Sequence, residues 1–270
     1  MSGSDPGRAR VRLDQLLVSR GLARSRAEAQ ALLLAGSVEL AGAGTRTLKP
    51  GQLVPADAVI SLDLAPRWAS RAGAKLEAAL ERFGADPAGL ACLDAGASTG
   101  GFTDVLLARG ARIVYAVDVG RAQLLERLRR DPRVVSMERT NLRTLAALPE
   151  PIGLATLDLS FISLRLVLPA VARLLGAGGA VIALVKPQFE VGRGEVPRGG
   201  VVRDPAAHRA VLLAVAEAAA DAGLVAEDLI VSPITGGDGN REFLALFHPG
   251  QNLDRAAWQR RVDALPPPAA

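Results

Sequence analysis

The stretch Ala91-Cys-Leu-Asp-Ala-Gly-Ala-Ser-Thr-Gly-Gly-Phe102 decides the fold, because an apolar run ends in an acid and a glycine-rich bend then opens a helix. Glycines let the backbone approach a ligand closely, and the first turn of a helix offers free N–H groups. A second apolar run, Ile113–Val117, ends in Asp118, at a spacing where a carboxylate commonly takes the ribose hydroxyls of a nucleotide-like cofactor. The pattern predicts such a cofactor on an α/β sheet; a tight strand-to-helix turn without a ligand is the alternative.

The amino-acid sequence of this loop limits which cofactor it can bind. It has neither the Gly-x-Gly-x-x-Gly of dinucleotide sites nor the Gly-Lys-Ser/Thr of triphosphate sites. An adenosine-containing cofactor without a pyrophosphate fits better, which favours S-adenosylmethionine. The candidate cofactor-binding residues are Asp94, Gly96, Ser98, Thr99, Gly100, Gly101, Phe102, Asp118 and Asn141. Asn141, which follows the third strand, is either a residue on the adenine side of the cofactor or a turn residue.

Composition excludes several classes of protein. With 270 residues, 49% of them hydrophobic, the chain can form one sizeable α/β domain and a small additional module. A single Cys and two His exclude a disulfide framework and predict no metal site. The polar, basic start has no signal-peptide pattern, and the apolar run Leu174–Val185 is too short and glycine-rich to span a bilayer. We therefore expect a soluble, cytoplasmic protein without a membrane partner; the oligomeric state stays open.

From Gly73 onward, helical and strand patterns alternate. Helices are predicted over 74–83, 102–109, 122–130, 164–175 and 204–222, and strands over 91–94, 112–117, 134–137, 154–159, 179–185, 225–231 and 243–247. This alternation predicts a doubly wound, largely parallel sheet with helices on both faces. The turn Thr235–Asn240 leaves no room for a crossover helix, so the last two strands are antiparallel. Seven strands with only the last antiparallel make the class I methyltransferase version of the Rossmann-like α/β fold.

A smaller module precedes this sheet. A short helix from residue 10, with apolar positions at 13, 16 and 17, ends at Gly21, and Ser25 caps a second helix, Arg26–Ala35. Val38–Leu40 and Val59–Leu62 are predicted to form a hairpin. The predicted organisation is a disordered leader (1–9), a small α+β domain (10–64), a linker (65–72), the cofactor-binding domain (73–250) and a C-terminal tail (251–270).

Arginines are concentrated in the first module and near the predicted cofactor edge. Two small helices that present arginines, backed by a hairpin, suit RNA phosphates, although a solvated basic face has the same composition. Trp68 in the linker is either a base-stacking residue or a packing anchor between the domains. The segment Glu195–Gly200 is interpreted as a lid that orders on RNA. The candidate RNA-binding residues are Arg12, Arg20, Arg24, Arg26, Arg67, Arg71, Arg193, Arg198 and Arg203.

Four ionisable residues are predicted to meet at one edge of the sheet, where ligands of open α/β sheets bind. Asp158 ends the fourth strand and Lys186 ends the fifth. Glu242 begins the antiparallel last strand and so lies at the same edge, which Lys75, on the helix before the first strand, can reach. Each residue alone has an ordinary structural explanation. Two of the chain's three lysines at one edge nevertheless predict chemistry there.

Resemblances to known families cover nearly the whole chain. Arg12-Leu-Asp-x-x-Leu17, Ser25-Arg-x-x-Ala29 and Gly36-x-Val38 resemble the S4-type RNA-binding domain; Leu40-Ala-Gly42 departs from that family's usual Val-Asn-Gly. From Ser70 onward the chain resembles the FtsJ-like RNA ribose 2′-O-methyltransferases, and both modules together resemble the hemolysin A/TlyA-type ribosomal RNA cytidine 2′-O-methyltransferases. The matching stretches are Ser70-Arg-Ala-Gly-Ala-Lys-Leu76, Leu93-Asp-Ala-Gly-Ala-Ser-Thr-Gly-Gly-Phe-Thr103, Asp158-Leu-Ser-Phe-Ile-Ser163, Val185-Lys-Pro-Gln-Phe-Glu190, Gly200-Val-Val-Arg-Asp204 and Gly239-Asn-Arg-Glu242. At Ala72 the family usually has a second glycine.

The resemblance implies an enzyme that transfers the methyl group of S-adenosylmethionine to a ribose 2′-hydroxyl, of cytidine, in ribosomal RNA or ribosomal subunits. The family's Lys-Asp-Lys-Glu tetrad corresponds to Lys75, Asp158, Lys186 and Glu242, and Lys186 takes or shares the hydroxyl proton. Nearby carboxylates favour its ammonium and desolvation by RNA disfavours it, so Lys186 is either a general base or an electrostatic guide. The alternatives are a non-catalytic RNA-binding assembly factor, a membrane-active haemolysin, and a methyltransferase for DNA or a small molecule.

Overall fold

The computed structural model describes residues 10–41, 48–62, 67–121, 123–192, 194, 196–236 and 239–267. The chain divides into two compact units, Met1–Arg71 and Ala72–Ala270. The predicted leader (1–9) and part of the predicted linker (65–72) lie outside the described residues. The assignment of residues 10–64 to an S4-type domain stays a prediction.

The first unit consists of two short helices and two antiparallel pairs of strands. Its elements are β1 (Arg10–Arg12), α1 (Leu13–Ser19), α2 (Arg26–Ala35), β2 (Val38–Leu40), β3 (Leu53–Pro55) and β4 (Ile60–Leu62). β1 pairs with β3, and β2 pairs with β4, which is the expected hairpin partner. The first helix begins at Leu13 rather than at residue 10, because residues 10–12 are taken up by the strand pair with β3.

The two ends of α2 follow the sequence signals. Ser25 Oγ accepts a hydrogen bond from the Glu28 N–H at 3.2 Å, which satisfies one of the free donors of the first turn. Gly36 has a φ of 77°, a left-handed conformation that glycine adopts without steric cost. Leu13 and Leu17 of α1 are fully buried in the small core of this unit.

The second unit is a seven-stranded sheet packed with helices. Its elements are α3 (Ala72–Phe83), β5 (Ala91–Ala95), α4 (Gly101–Ala108), β6 (Ile113–Val117), α5 (Glu126–Arg129), β7 (Val134–Met137), β8 (Ile152–Leu157), α6 (Leu168–Leu174), β9 (Leu175–Val185), α7 (Pro187–Glu190), α8 (Pro205–Asp221), β10 (Leu224–Val231), β11 (Phe243–Pro249) and α9 (Arg255–Asp263), with 3₁₀ turns at Leu142–Thr144 and Leu164–Leu166. The strand order is β10-β11-β9-β8-β5-β6-β7.

The strand directions confirm the predicted fold class. β5 pairs in parallel with both β6 and β8, β6 with β7, and β8 with β9. β11 is antiparallel to both of its neighbours, β9 and β10. All five residues of β5 are buried, as expected for the central strand of a parallel sheet.

Three predicted elements of the second unit differ from the structure by more than two residues at one end, and the other predicted elements differ by at most two residues at either end. The predicted helix 122–130 is reduced to α5. The predicted helix 164–175 is divided into a 3₁₀ turn and α6, because Pro169 lacks an N–H and is tolerated only in the first turn of a helix. β9 begins at Leu175 rather than at 179, and its first residue pairs with Ile152 of β8.

The structure corrects the predicted C-terminal tail (251–270). Residues 255–263 form α9, and Trp258 of this helix is buried in the core of the second unit. The Trp258 indole N–H donates to the carbonyl oxygen of Leu212 at 3.1 Å, and Arg255 forms an ion pair with Glu217 at 2.6 Å. The sheet domain therefore extends beyond residue 250, at least to the end of α9.

The part of the chain that the structure describes has neither a helix long and apolar enough to cross a membrane nor three or more His, Cys, Asp or Glu side chains grouped to hold a metal ion. Cys92 is buried in β5. Burial, together with the charge of Asp94, raises the pKa of its thiol to about 12. The thiol is therefore protonated and poorly reactive near neutral pH.

Candidate active site

One edge of the sheet brings together all four predicted ionisable residues, three of them at strand ends. β8 and β9 are parallel, and Asp158 and Lys186 directly follow them. β11 runs antiparallel to β9 with Phe243 opposite Val185, so Glu242, which precedes β11, is next to Lys186 in the register. The start of β11 lies at this edge only because β11 is antiparallel.

Lys186 is held by two residues of the loop that follows β8. Its Nζ lies 2.6 Å from Asp158 Oδ1 and donates a hydrogen bond to Ser160 Oγ at 3.0 Å. The Lys186 and Asp158 side chains are largely buried. Solvent ions screen such a pair little, and the two contacts fix the direction in which the amino group points.

Lys75 forms a second ion pair at this edge. Its Nζ donates to Glu242 Oε2 at 2.5 Å, and both side chains are buried. Lys75 lies on α3, which packs against β10 and β11. The pair therefore ties the helix before the first strand of the sheet to the start of the last strand.

The four residues thus form two separate pairs, Lys186–Asp158 and Lys75–Glu242. An amino group held at a strand end can steer a hydroxyl or accept its proton, and a paired carboxylate orients the amino group and stabilises its charged form. The catalytic role of each residue stays a prediction.

A cavity of about 420 Å³ lies at the same edge. Its volume is in the range of sites for small organic ligands. Four of the nine predicted cofactor-binding residues line it, namely Gly96, Ser98, Asp118 and Asn141. Asp158 also lines it, so the Lys186–Asp158 pair borders the cavity.

Gly96 occupies a position where no other residue fits. Its φ is 84°, and a Cβ atom there would lie 2.5 Å from the backbone oxygen of Asp158. A side chain at this position would push the cofactor loop away from the loop that carries Asp158. The glycine therefore brings the predicted cofactor loop and the ion-paired carboxylate into direct backbone contact.

Asp118 stands at the end of β6 on the cavity. Its Oδ2 accepts the Ser98 N–H at 2.9 Å, and its Oδ1 accepts the Gly120 N–H at 2.6 Å. Each oxygen keeps a further lone pair, which can accept a ligand hydroxyl. The cavity volume, this carboxylate and the close approach at Gly96 together fit S-adenosylmethionine.

The other five predicted cofactor-binding residues do not line the cavity, and their contact with the cofactor stays a prediction: Asp94, Thr99, Gly100, Gly101 and Phe102. Asp94 is fully buried in β5, and its Oδ2 accepts the hydroxyl of Thr103 at 2.6 Å. Burial raises the pKa of Asp94 to about 7, while the hydrogen bond from Thr103 lowers it. In the structure Asp94 anchors the first turn of α4.

Two predicted RNA-binding arginines are organised around a buried acid in the first unit. Asp14 is fully buried, and its Oδ2 lies 2.8 Å from Arg12 Nη2 and 3.0 Å from Arg26 Nη2. The hydrogen bond from Arg12 is the main reason why the pKa of Asp14 lies well below its usual range. The two arginine side chains remain substantially exposed.

The remaining predicted arginines have different environments. Arg20 donates to the backbone oxygens of Ala56 and Ala58, and the Arg67 guanidinium lies 5.0 Å from the centroid of the Trp68 ring. Arg24, Arg67, Arg198 and Arg203 are exposed, Arg71 is half-buried, and Arg193 lies outside the described residues. RNA binding by any of these residues stays a prediction.

Sequence reasoning missed Ser160 and Phe161 as residues of this site. Ser160 accepts the second hydrogen bond of Lys186. Phe161 lines the cavity, is 91% exposed, has a φ of 63°, and its ring centroid lies 5.1 Å from that of Phe189. Their sequence signal is their place in the stretch Asp158-Leu-Ser-Phe-Ile-Ser163 that resembles the family, because a single Ser or Phe in a loop forms no pattern of its own.

Comparisons with known proteins cover both units. The model of the FtsJ-like methyltransferase family matches residues 68–248. The 16S/23S rRNA (cytidine-2′-O)-methyltransferase TlyA of Mycobacterium tuberculosis is 48% identical over 240 residues, which are 87% of this chain and 88% of that protein. Hemolysin A of Brachyspira hyodysenteriae is 39% identical over 240 residues, 88% of this chain and 99% of that protein. A solved structure described as "Putative hemolysin from Streptococcus thermophilus" is 41% identical, with a TM-score of 0.73 over 95% of this chain and 96% of that one.

Proposed function

This chain belongs to the FtsJ-like methyltransferase family and uses S-adenosylmethionine as its methyl donor, and from this membership we propose that it methylates the ribose 2′-hydroxyl of a cytidine in ribosomal RNA. The observation that carries the proposal is the combination of two buried ion pairs, Lys186–Asp158 and Lys75–Glu242, with the adjoining cavity. The choice of substrate rests on the relative from Mycobacterium tuberculosis, whose name states that reaction. We propose the cytoplasm as the compartment.

Asp118, Ser98 and Gly96 hold the cofactor in this proposal. When bound, S-adenosylmethionine supplies an electrophilic methyl group on its sulfonium. The Asp118 carboxylate accepts hydrogen bonds from hydroxyls on the adenosine side, and the Ser98 backbone that it orders forms the wall of the cavity. Gly96 keeps that wall against the loop that carries Asp158.

Lys186 handles the proton of the acceptor. A ribose hydroxyl is a poor nucleophile while it keeps its proton, so a group must take that proton as the new O–C bond forms. The Nζ of Lys186, which Asp158 and Ser160 hold beside the cavity, accepts that proton in this proposal. The resulting ammonium is stabilised by Asp158 at 2.6 Å, and the Lys75–Glu242 pair completes the polar surroundings.

Arginines of both units supply the binding energy for RNA in this proposal. Arg12 and Arg26, fixed by Asp14, present two guanidinium groups close together, a geometry that matches phosphate oxygens. Contacts to phosphate position an RNA without reading its sequence. The choice of nucleotide therefore depends on the shape of the RNA around the acceptor.

Replacing Lys186 by Met tests the proposal, because Met keeps the length of the side chain and removes the amine. We expect the single-turnover rate of methyl transfer to ribosomal RNA to fall by about 10²–10⁴-fold, with little change in S-adenosylmethionine affinity. Tritiated-methyl transfer measures the rate, and calorimetry measures the affinity. Lys49→Met, in the first unit, is the matched control and keeps the wild-type rate at saturating RNA.

Other outcomes would point elsewhere. Near-normal transfer by Lys186→Met would remove Lys186 from the chemistry. A wild-type protein that binds ribosomal RNA and S-adenosylmethionine but transfers no methyl group would favour an RNA-binding assembly factor. An RNA with a 2′-deoxyribose at the mapped acceptor should not be methylated. Methylation of that RNA would show that the acceptor is a base and not the ribose. Leakage of liposomes by the purified protein would revive the haemolysin alternative.

A further inference from the structure

The carboxylate of Glu190 makes its contacts entirely within the neighbouring loop. Glu190 ends α7 and is only 4% exposed. Its Oε2 accepts the hydroxyl of Ser163 at 2.5 Å, and its Oε1 accepts the N–H of Leu164 at 2.7 Å. Its backbone oxygen accepts a further hydrogen bond from Arg165 Nη2 at 2.6 Å. The residue thus holds the far end of the loop that begins at Asp158.

The loop after β8 and the turn after β9 are consequently joined at two points. At the near end, Lys186 contacts Asp158 and Ser160, and at the far end Glu190 contacts Ser163–Leu164. A single helical turn separates Lys186 from Glu190. Because β8 and β9 are paired and the loop is held at both ends, this closed ring of contacts fixes the direction of the Lys186 amino group.

We propose that Glu190 is a positioning residue for Lys186. Glu190 ties the loop after β8 to the turn that carries both Lys186 and Glu190, and it thereby keeps Asp158 and Ser160 against the Lys186 amino group. The inference rests on the proposed function in one respect, the catalytic role of Lys186. Without the Glu190 contacts the β8 loop keeps only its near-end attachment. Ser160 then moves away from Lys186, and the amino group samples several directions.

The chemistry of the buried carboxylate supports a positioning role. Burial raises the pKa of Glu190, and the hydrogen bonds from Ser163 and Leu164 lower it. A carboxylate is costly to bury unless donors satisfy it, so an apolar residue would fill the same space with less loss. What an apolar residue cannot provide is two acceptor oxygens that fix a hydroxyl and a backbone N–H at once.

Glu190→Gln is the decisive variant, since it keeps the size of the side chain but replaces one acceptor oxygen by a donor. We expect the single-turnover rate at saturating ribosomal RNA and S-adenosylmethionine to fall by about 10–100-fold, the effect of a small misplacement of a reacting group. Glu150→Gln is the matched control. Glu150 accepts hydrogen bonds from Arg112 and Tyr115 and precedes β8, at the opposite edge of the sheet, so its variant keeps the wild-type rate.

A double variant separates positioning from mere structural support. If Glu190 acts through Lys186, adding Glu190→Gln to Lys186→Met causes no further loss of rate, because the group being positioned is absent. Rates are compared well below the unfolding temperature of each variant. Independent, multiplying losses in the double variant, or a wild-type rate in Glu190→Gln, would overturn the proposal.

Chemical labelling of the lysines tests the same proposal without methyl transfer. The chain has three lysines, so reaction with an amine-specific reagent followed by mass spectrometry reports on Lys49, Lys75 and Lys186 individually. We expect Glu190→Gln to raise the labelling rate of Lys186 severalfold and to leave that of Lys75 unchanged. Unchanged labelling of Lys186 would refute the positioning role, whereas a wild-type protein without methyltransferase activity would refute only the proposed function.

Discussion

Asp94 is ionised only in part at neutral pH, because burial raises its pKa from 3.8 to about 7 although Thr103 donates a hydrogen bond to it. A raised pKa in the folded state means that the folded protein binds this proton more tightly than the unfolded chain. The stabilisation from Asp94 is therefore fully present below about pH 4 and is lost as the pH rises through about 7. Asp94 thus makes the second unit less stable at alkaline pH.

Asp94→Asn removes this titration. Each unit of pKa shift corresponds to about 1.4 kcal/mol, so the wild-type free energy of unfolding should include a fall on the order of 4 kcal/mol between acid and neutral pH that the Asn variant lacks. Urea unfolding at several pH values measures the difference. Asp86→Asn, at an exposed carboxylate that caps Ala88, is the control and keeps the wild-type slope. Parallel curves for wild type and Asp94→Asn would contradict the expectation.

Residues at strand ends could be located from the sequence, whereas residues inside loops could not. Lys186 and Glu242 follow from the strand order alone, because an antiparallel last strand starts where its parallel neighbour ends. The role of Asp94 depends on its hydrogen bond with Thr103, which lies nine residues away on another element, and no local sequence pattern predicts that hydrogen bond. The contacts of Glu190 with Ser163 depend in the same way on two loops meeting.

The segment after α7 is fixed to the hairpin before β11 by one side chain. Asn240 is buried, and its Oδ1 accepts the Val202 N–H while its Nδ2 donates to the Gly200 oxygen, both at 2.9 Å. His208 on α8 contacts the Val202 oxygen through Nε2 at 2.9 Å. The end of the predicted lid, Glu195–Gly200, is therefore anchored, and Glu195 itself lies outside the described residues.

Asn240→Ala should release this segment. The change removes the side-chain partner of the buried Val202 N–H, at a cost of about 1–3 kcal/mol, and that of the partly buried Gly200 carbonyl, at a smaller cost. The side chains of Arg198 and Arg203 are already exposed, but local opening frees the backbone around them to enter a protease, so we expect trypsin to cleave after these residues several times faster than in the wild type. Mass spectrometry of short digests identifies the sites. Asn141→Ala, which removes the cap of another turn, should leave cleavage at these two arginines unchanged.

The sequence predicts a helix or strand correctly where a local residue pattern defines it. The prediction is wrong where the element depends on tertiary contacts. The predicted strand 134–137 has the bounds of β7, and α8 differs from its prediction by one residue at each end. The sequence predicts a helix from residue 10, where the structure has β1, because the pairing of β1 with β3 joins distant segments. α9 was missed because its polar sequence gives little sign of the buried face formed by Trp258 and Val262.

The core of the second unit as a whole is completed by α9. Trp258 packs into the same apolar cluster as residues of β5, β8 and β9. Trp258→Ala should lower the free energy of unfolding of this unit by about 3–5 kcal/mol, whereas Trp258→Phe, which keeps most of the buried area, should cost much less. Denaturant midpoints measure both. A loss below about 1 kcal/mol for Trp258→Ala would show that α9 contributes little to the core.

The two ion pairs of the active edge carry two positive and two negative charges, so the site as a whole is electrically neutral. Opposite charges at contact distance cancel one another's field within a few ångströms, and such a site exerts almost no long-range pull on a polyanion. Under the proposed function, the capture of RNA therefore depends on the exposed arginines. Binding of the RNA and transfer of the methyl group then depend on different charged residues, so a substitution that weakens RNA binding need not change the rate of methyl transfer.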